Sequence, residues 1–166
     1  LKQRNQLLRT VDSNTHELGT WTKLLSEQAE AIHRLRCSYF KKLEDLFYDI
    51  LCQISDIKGI KTNYSGGWLH GSSLLDLYER KLDSDVRSGF TQEGFQRADF
   101  SVSKCGEPAD QVCSRGELKV ISWAMMLAQG QLLTNDKKEK VIYLVDDIGS
   151  ELDKKHRTQI CNWLIN

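Results

Sequence analysis

The chain has 166 residues, of which 40% are hydrophobic and 28% are charged, with 23 basic and 23 acidic side chains. That length suffices for one compact domain, or for a small arm attached to part of a larger domain. The zero net charge excludes a uniformly basic nucleic-acid-binding surface, and no apolar run approaches the roughly 20 residues of a membrane-spanning helix.

The first 56 residues are predicted to form a helical arm of antiparallel helices. Apolar residues recur three and four positions apart, and no proline interrupts them. A short helix over Leu1–Val11 would be followed by a turn at residues 12–14 and by a long helix that starts near Gly19. A helical-bundle core would show the same periodicity, so that alternative stays open.

Residues 57–166 are predicted to mix strands and helices in an α/β arrangement. The first expected elements are a strand within 57–68 through Ile60, Thr62 and Tyr64, a helix over 72–82, and two strands joined near Gly94 within 90–103. A polar loop from Lys104 and a long helix over 115–133 follow. The last expected elements are a charged turn over 134–140, a buried strand over 141–145 and a final helix from about Glu151.

The most informative segment runs from Val141 to Asp147. Five consecutive apolar residues predict a strand buried on both faces, as in a parallel sheet covered by helices. Asp146 and Asp147 would then lie at the carboxyl end of that strand, where open α/β sheets bind their ligands. Two adjacent carboxylates need a cation or a functional reason, and a Walker B strand provides one by holding Mg²⁺ on a nucleotide. An acidic loop after a core strand is the alternative.

A second informative segment is Ser114-Arg115-Gly116-Glu117. Ser114 and Glu117 fit the capping-box pattern at the start of the long helix, and Gly116 leaves room for a close approach. A helix N-terminus attracts anions such as phosphate. With the acid pair about thirty residues later, the segment looks like the signature motif of ABC-type ATPases. An ordinary capped helix is the alternative.

A near match to a phosphate-binding loop occurs between Gly66 and Ser73. It has the spacing of two glycines but carries Ser72 where the phosphate-binding lysine must stand. A glycine turn that leaves a strand is therefore the preferred interpretation of this segment.

The five cysteines are odd in number and widely spaced, and none forms a C-x-x-C pair. This pattern favours a reduced, cytoplasmic location over a disulfide framework or a zinc site. The four histidines are far apart in the sequence, so surface or core roles are expected rather than a metal or catalytic set.

Five segments together resemble RecF, a family of bacterial recombination-repair ATPases, in order and spacing along nearly the whole chain. These segments are Leu1–Asn5, Gly94–Asp99, Ser114–Lys119, Leu127–Gly130 and Leu144–Asp153. The resemblance implies an incomplete ABC-type P-loop ATPase head with an inserted α-helical arm (residues 1–56), in which residues 57–166 are the later part of the head.

By the same resemblance, Asp146 would bind Mg²⁺ and Asp147 would be the hydrolytic base. Ser114, Arg115 and Gly116 would contact ATP held by the opposite protomer of a dimer, while Ser150, Glu151 and Asp153 would lie in the D-loop at the dimer interface. Family members bind ATP and DNA, form an ATP-dependent homodimer, and act with RecO and RecR to load RecA at single-strand gaps.

The sequence departs from the family pattern in two places. Gly94-Phe95-Gln96 replaces a usual Gly-Pro-His, and Glu117 replaces a common Gln. No Walker A loop is recognised and Leu1 is not a start residue, so we expect a fragment that neither binds ATP tightly nor hydrolyses it alone. Two alternatives remain: another ABC-type ATPase head, from a transporter or a chromosome-maintenance protein, and a non-enzymatic helical interaction module.

Overall fold

The computed structural model describes the chain except for residues 11–14, 70, 72, 138–139, 147, 149–151 and 166. Its elements are, in chain order, α1 (Lys2–Arg9), α2 (Thr15–Ile54), β1 (Ile60–Ser65), α3 (Leu74–Arg80), α4 (Leu82–Ser88), a 3-10 turn (Phe95–Arg97), β2 (Asp99–Lys104), β3 (Glu107–Pro108), α5 (Ala109–Val112), α6 (Arg115–Lys137) and α7 (Lys154–Ile165).

The chain folds into two compact units. Unit 1 comprises Leu1–Ser38 and Tyr64–Phe100, and unit 2 comprises Tyr39–Asn63 and Ser101–Asn166. Because α2 contributes residues to both units, the two units do not follow the predicted boundary at residue 56. That predicted boundary rests on helical periodicity alone. The division into an arm and a head stays a prediction.

Unit 1 contains a small apolar cluster beside a buried polar network. Leu25, Ala29, Leu74, Leu77 and Tyr78 form the cluster. Next to it, the Arg4 guanidinium is 1% exposed and lies 4.6 Å from the centre of the Tyr78 ring. The predicted helices 1–11 and 72–82 are confirmed as α1 and α3, while the predicted turn at 12–14 lies outside the described residues.

Unit 2 has a larger apolar core. It is built from one face of the second part of α2, one face of α6, and single residues from β1, the segment after residue 151 and α7. Its buried members are Leu43, Phe47, Ile50, Leu51, Ile54, Ile60, Val120, Ile121, Trp123, Ala124, Leu127, Ala128, Leu132, Leu152 and Ile160.

The strands form a three-stranded sheet in the order β1-β2-β3. Strands β2 and β3 pair antiparallel, with Ser103 opposite Pro108. The turn between them has Cys105 and Gly106 at φ of 54° and 96°, the backbone that a tight two-residue hairpin requires. The polar loop predicted from Lys104 is therefore a hairpin followed by the short helix α5.

Two other predictions need correction. Of the two strands predicted within 90–103, only β2 forms. Before Gly94, side chains bind the backbone N–H groups that a strand partner would need: Asn5 accepts from the Thr91 N–H and Asp85 from the Gln92 N–H. The charged turn predicted over 134–140 is helical up to Lys137, as α6 continues past its predicted end. Among the described residues, no helix combines the length and apolar character needed to cross a bilayer.

Candidate nucleotide-contact site

The N-terminus of α6 is held by a reciprocal capping box. The Glu117 N–H donates to Ser114 Oγ at 3.2 Å, and the Ser114 N–H donates to Glu117 Oε2 at 2.8 Å. Ser114, Arg115 and Gly116 are all exposed, and a Cβ added at Gly116 would meet no atom within 4 Å. The predicted cap is confirmed, and residues 114–116 face solvent rather than the core.

Lys104 is part of the same cluster, although sequence reasoning does not single it out. Its Nζ lies 2.5 Å from Glu117 Oε1, and both side chains are about one quarter to one third exposed (26% and 30%). Lys104 and then the Ser114 N–H stabilise the carboxylate, which lowers the pKa of Glu117 to about 2. The β2–β3 hairpin is what brings Lys104, thirteen positions earlier, to the helix start.

The segment predicted as a buried strand does not form one. Residues 141–146 form neither a helix nor a strand and are not paired into the sheet that the structure describes. Ile142 is 83% exposed and Leu144 is 94% exposed, so one face of the segment is bare. The prediction of burial on both faces is therefore wrong in this structure, and Asp146 is exposed rather than placed at a sheet edge.

The physical reason is that a strand needs a hydrogen-bonded neighbour and a covering layer on each face. Only one face of this segment has a layer: Val141 and Tyr143 are partly buried, and Tyr143 packs against the core of unit 2. The apolar run indicates a segment suited to burial on both faces, but the described residues cover only one of those faces.

Tyr143 attaches the segment to α6 and α7. Its hydroxyl donates to the Leu127 carbonyl at 3.4 Å, and its ring meets Trp163 edge-on at 6.4 Å between centroids. A Cβ added at Gly130 would lie 1.9 Å from the Tyr143 hydroxyl. The contact with Tyr143 therefore explains why a glycine stands at position 130, because a side chain there would displace the tyrosine.

Asp153 begins the last helix. It accepts from the His156 N–H at 2.9 Å and from the His156 ring at 2.8 Å, and these bonds hold the pKa of Asp153 below its usual range. Asp153 itself is therefore the N-cap of α7. Asp147, Ser150 and Glu151 lie outside the described residues, so their predicted positions stay predictions.

The chain is similar to proteins called DNA replication and repair protein RecF over nearly its full length. It is 33% identical to that of Pseudoalteromonas translucida over 162 residues, 34% to that of Pseudomonas aeruginosa strain UCBPP-PA14 over 164 residues, and 37% to that of Stutzerimonas stutzeri over 166 residues. These matches cover 96%, 99% and 99% of the chain. The chain is a relative of RecF.

The chain spans about 44% of the length of these RecF relatives, and no family model matches it. A solved RecF–ATP structure, a recombination mediator protein of the RecFOR pathway, matches 99% of the chain and 47% of its own length with a TM-score of 0.86 at 24% identity. The chain thus has the fold of part of RecF, which confirms the predicted fold class of a partial α/β ATPase head, while its division into an arm and a head stays a prediction.

The residues present fit part of a nucleotide site. The exposed N-terminus of α6 offers main-chain N–H groups and Arg115 to an anion. Asp146 offers one exposed carboxylate, and Mg²⁺ commonly takes one or two carboxylates with substrate phosphates as its other ligands. Within the described ranges, no three His, Cys, Asp or Glu side chains are grouped to hold a metal ion by themselves. The arrangement suits contact with a nucleotide bound elsewhere.

Proposed function

We propose that the chain supplies the signature and Walker B parts of a RecF-type recombination-repair protein, which binds DNA and dimerises with ATP. The observation that carries this proposal is the exposed, capped N-terminus of α6 in a chain that is similar to RecF along almost its whole length. By that similarity, Ser114, Arg115 and Gly116 would contact ATP bound by the other protomer.

The remaining roles extend the same proposal. Asp146 would hold Mg²⁺, and Asp147 would position or deprotonate the attacking water. Ser150, Glu151 and Asp153 would form the D-loop contact between protomers. Bound ATP with Mg²⁺ would supply the phosphate charge that the α6 N-termini of two copies recognise. DNA at single-strand gaps, RecO and RecR are the proposed partners, and a cytoplasmic location follows from that role.

The exposed apolar face of residues 141–146 supports a sheet that is completed by further strands. Ile142 and Leu144 are nearly fully exposed, while their neighbours Val141 and Tyr143 are partly buried. Adding a paired strand and a covering layer would bury both side chains, and would set Asp146 and Asp147 at the carboxyl end of a buried strand. The remainder of a RecF relative is the expected source of those strands.

The test uses a chimaera that joins the part of Pseudomonas aeruginosa RecF not matched by this chain to the chain itself. Sedimentation velocity with and without ATP and Mg²⁺ would measure dimerisation. We expect Ser114→Arg to abolish the ATP-dependent dimer, because the new side chain removes the cap and blocks the approach of phosphate. Ser122→Arg, at another exposed serine of α6, is the matched control and should leave the dimer intact.

A second substitution separates hydrolysis from assembly. Asp147→Asn in the same chimaera should retain the ATP-dependent dimer and abolish phosphate release, because an amide cannot accept a proton from water. Dimerisation of the Ser114→Arg variant at the same ATP concentration as the parent would contradict the proposal.

For the chain alone, we expect isothermal titration calorimetry to detect no tight ATP binding, and micromolar binding would refute that expectation.

A further inference from the structure

A thiol and an imidazole lie one helical turn apart on α2, within unit 1. Cys37 Sγ is 3.5 Å from Nε2 and 3.8 Å from Nδ1 of His33. The Tyr64 hydroxyl lies 3.4 Å from His33 Nδ1. A nucleophile beside a base, with a third group that orients the base, is the arrangement that activates cysteine side chains.

The His33 ring is positioned by its surroundings. It stacks on Tyr64 with 5.7 Å between centroids and meets Trp68 at 4.7 Å. The backbone after β1 also approaches it, since a Cβ added at Gly66 would lie 2.7 Å from ring atoms. Cys37, in contrast, is exposed, so the ring is held in place while the thiol is accessible to reagents.

The side chains near Cys37 on α2 are basic. Arg34 and Arg36 lie three positions and one position before Cys37 on α2 and are exposed, and residues 31–43 contain no acidic side chain. Positively charged side chains near a thiol attract an anionic reagent to it. Arg36 also donates to the Phe95 carbonyl at 3.0 Å, which holds its guanidinium in unit 1.

We propose that Cys37 is an activated surface thiol that forms mixed disulfides with anionic low-molecular-weight disulfides, with His33 as its base and Tyr64 holding the imidazole. In this step the Cys37 proton moves to His33, and the thiolate attacks one sulfur of the disulfide. The S–S bond of the reagent breaks and its second sulfur leaves as a thiolate. Cys37 is oxidised and the reagent is reduced, so no other oxidant is needed. The reaction uses none of the residues of the proposed nucleotide contact.

Cys52 is a matched comparison on the same helix. It is also exposed, but Asp49 lies three positions before it and Asp56 four positions after it. Acidic neighbours repel an anionic reagent, whereas the basic neighbours of Cys37 attract it. Burial raises the pKa of the Cys113 thiol, so that side chain should also react slowly.

The experiment follows the reaction of the folded chain with excess 5,5′-dithiobis(2-nitrobenzoate), an anionic disulfide whose released thiolate absorbs visible light. We expect a fast phase of one thiol, about tenfold faster than the remaining phases. Peptide mapping at the end of that phase should place the mixed disulfide on Cys37. Cys37→Ser should remove the phase, and Cys52→Ser should leave it unchanged.

His33→Gln and Tyr64→Phe separate activation from simple exposure. Both should slow the fast phase without changing its amplitude of one thiol, and His33→Gln should also change the dependence of its rate on pH. A neutral disulfide of similar size should react less selectively at Cys37, because the arginines attract only the anionic reagent. The proposal is overturned if the fast phase persists in Cys37→Ser, if His33→Gln reacts at the parent rate, or if Cys52 reacts as fast as Cys37.

Discussion

The two units of the molecule are stabilised in different ways. Among the described residues of unit 1, the apolar cluster has five buried members, and the side chains of Arg4, Thr22, Asp85 and Thr91 are buried beside it. Among the described residues of unit 2, the apolar core has fifteen buried members, and the ion pairs, such as Lys104–Glu117, are partly exposed. Unit 1 therefore depends on a few specific polar contacts, whereas unit 2 depends on a large apolar core.

The network of unit 1 connects distant segments through one side chain. Arg4 donates from Nε to Thr22 at 3.0 Å and from Nη1 to Asp85 at 2.9 Å, and it also bonds Thr91. Its Nη2 and the Tyr78 hydroxyl are buried with no hydrogen-bond partner among the described residues, and burial raises the pKa of Tyr78 to about 12. Because a buried charge without its counter-ion is costly, single changes here should have larger effects than elsewhere in the chain.

The largest effect is expected for Asp85→Asn. It leaves the Arg4 guanidinium buried without a carboxylate, and breaking a buried pair in this way costs about 3–5 kcal/mol. Urea denaturation monitored by circular dichroism would measure the loss. The double variant Arg4→Met with Asp85→Leu should lose less stability than either single variant, since it removes both charges.

The control for that prediction is Lys155→Met, which breaks the exposed Lys155–Asp56 ion pair of unit 2. Exposed pairs contribute little to folding, so the denaturation midpoint should not change measurably. If Lys155→Met and Asp85→Asn shifted the midpoint equally, the contrast between the units would be wrong.

The next effect tests the apolar core of unit 2. Leu127 is fully buried, and Leu127→Ala should cost about 3 kcal/mol through lost burial and a residual cavity. Leu35→Ala removes the same atoms from a side chain that is 72% exposed on α2, so its denaturation midpoint should match that of the parent. Equal losses in the two variants would show that burial at Leu127 is not what stabilises unit 2.

A smaller effect is expected at the start of α6, and it depends on pH. Lys104 and Ser114 lower the pKa of Glu117 from 4.5 to about 2, so the folded state favours the ionised carboxylate. The resulting stability is fully present above pH 4.5 and is lost as the pH falls towards 2. The parent should therefore be more stable than Glu117→Gln at pH 7, and the difference should vanish near pH 2. A difference independent of pH in thermal denaturation would contradict this assignment.

Local signals allowed parts of this structure to be predicted from the sequence. The capping box of Ser114 and Glu117 involves residues three positions apart, so its pattern is readable without knowledge of the fold. The alternation through Ile60, Thr62 and Tyr64 also predicts β1, whose burial pattern follows it. Helical periodicity predicts α2 and α6 for the same reason.

Non-local contacts account for what sequence reasoning missed. The strand predicted before Gly94 does not form, because the side chains of Asn5 and Asp85 accept from the N–H groups of Thr91 and Gln92. Lys104 reaches Glu117 only through the hairpin turn at Cys105 and Gly106. The segment 141–145 lacks a paired neighbouring strand among the described residues, so its apolar character alone did not correctly predict a buried strand.

The smallest effect, and the only stabilising one, is expected for Gly19→Ala in unit 1. Gly19 lies inside α2, and a Cβ there would meet no atom within 4 Å. Replacing a helical glycine by alanine reduces the entropy lost on folding and should add about 0.5–1 kcal/mol, seen as a higher melting temperature. Gly94→Ala is the matched control, because φ there is +128° and the new Cβ would lie 2.3 Å from the buried Tyr78 hydroxyl. That variant should melt earlier than the parent. If both variants melted earlier, the space beside Gly19 would not be open to a side chain.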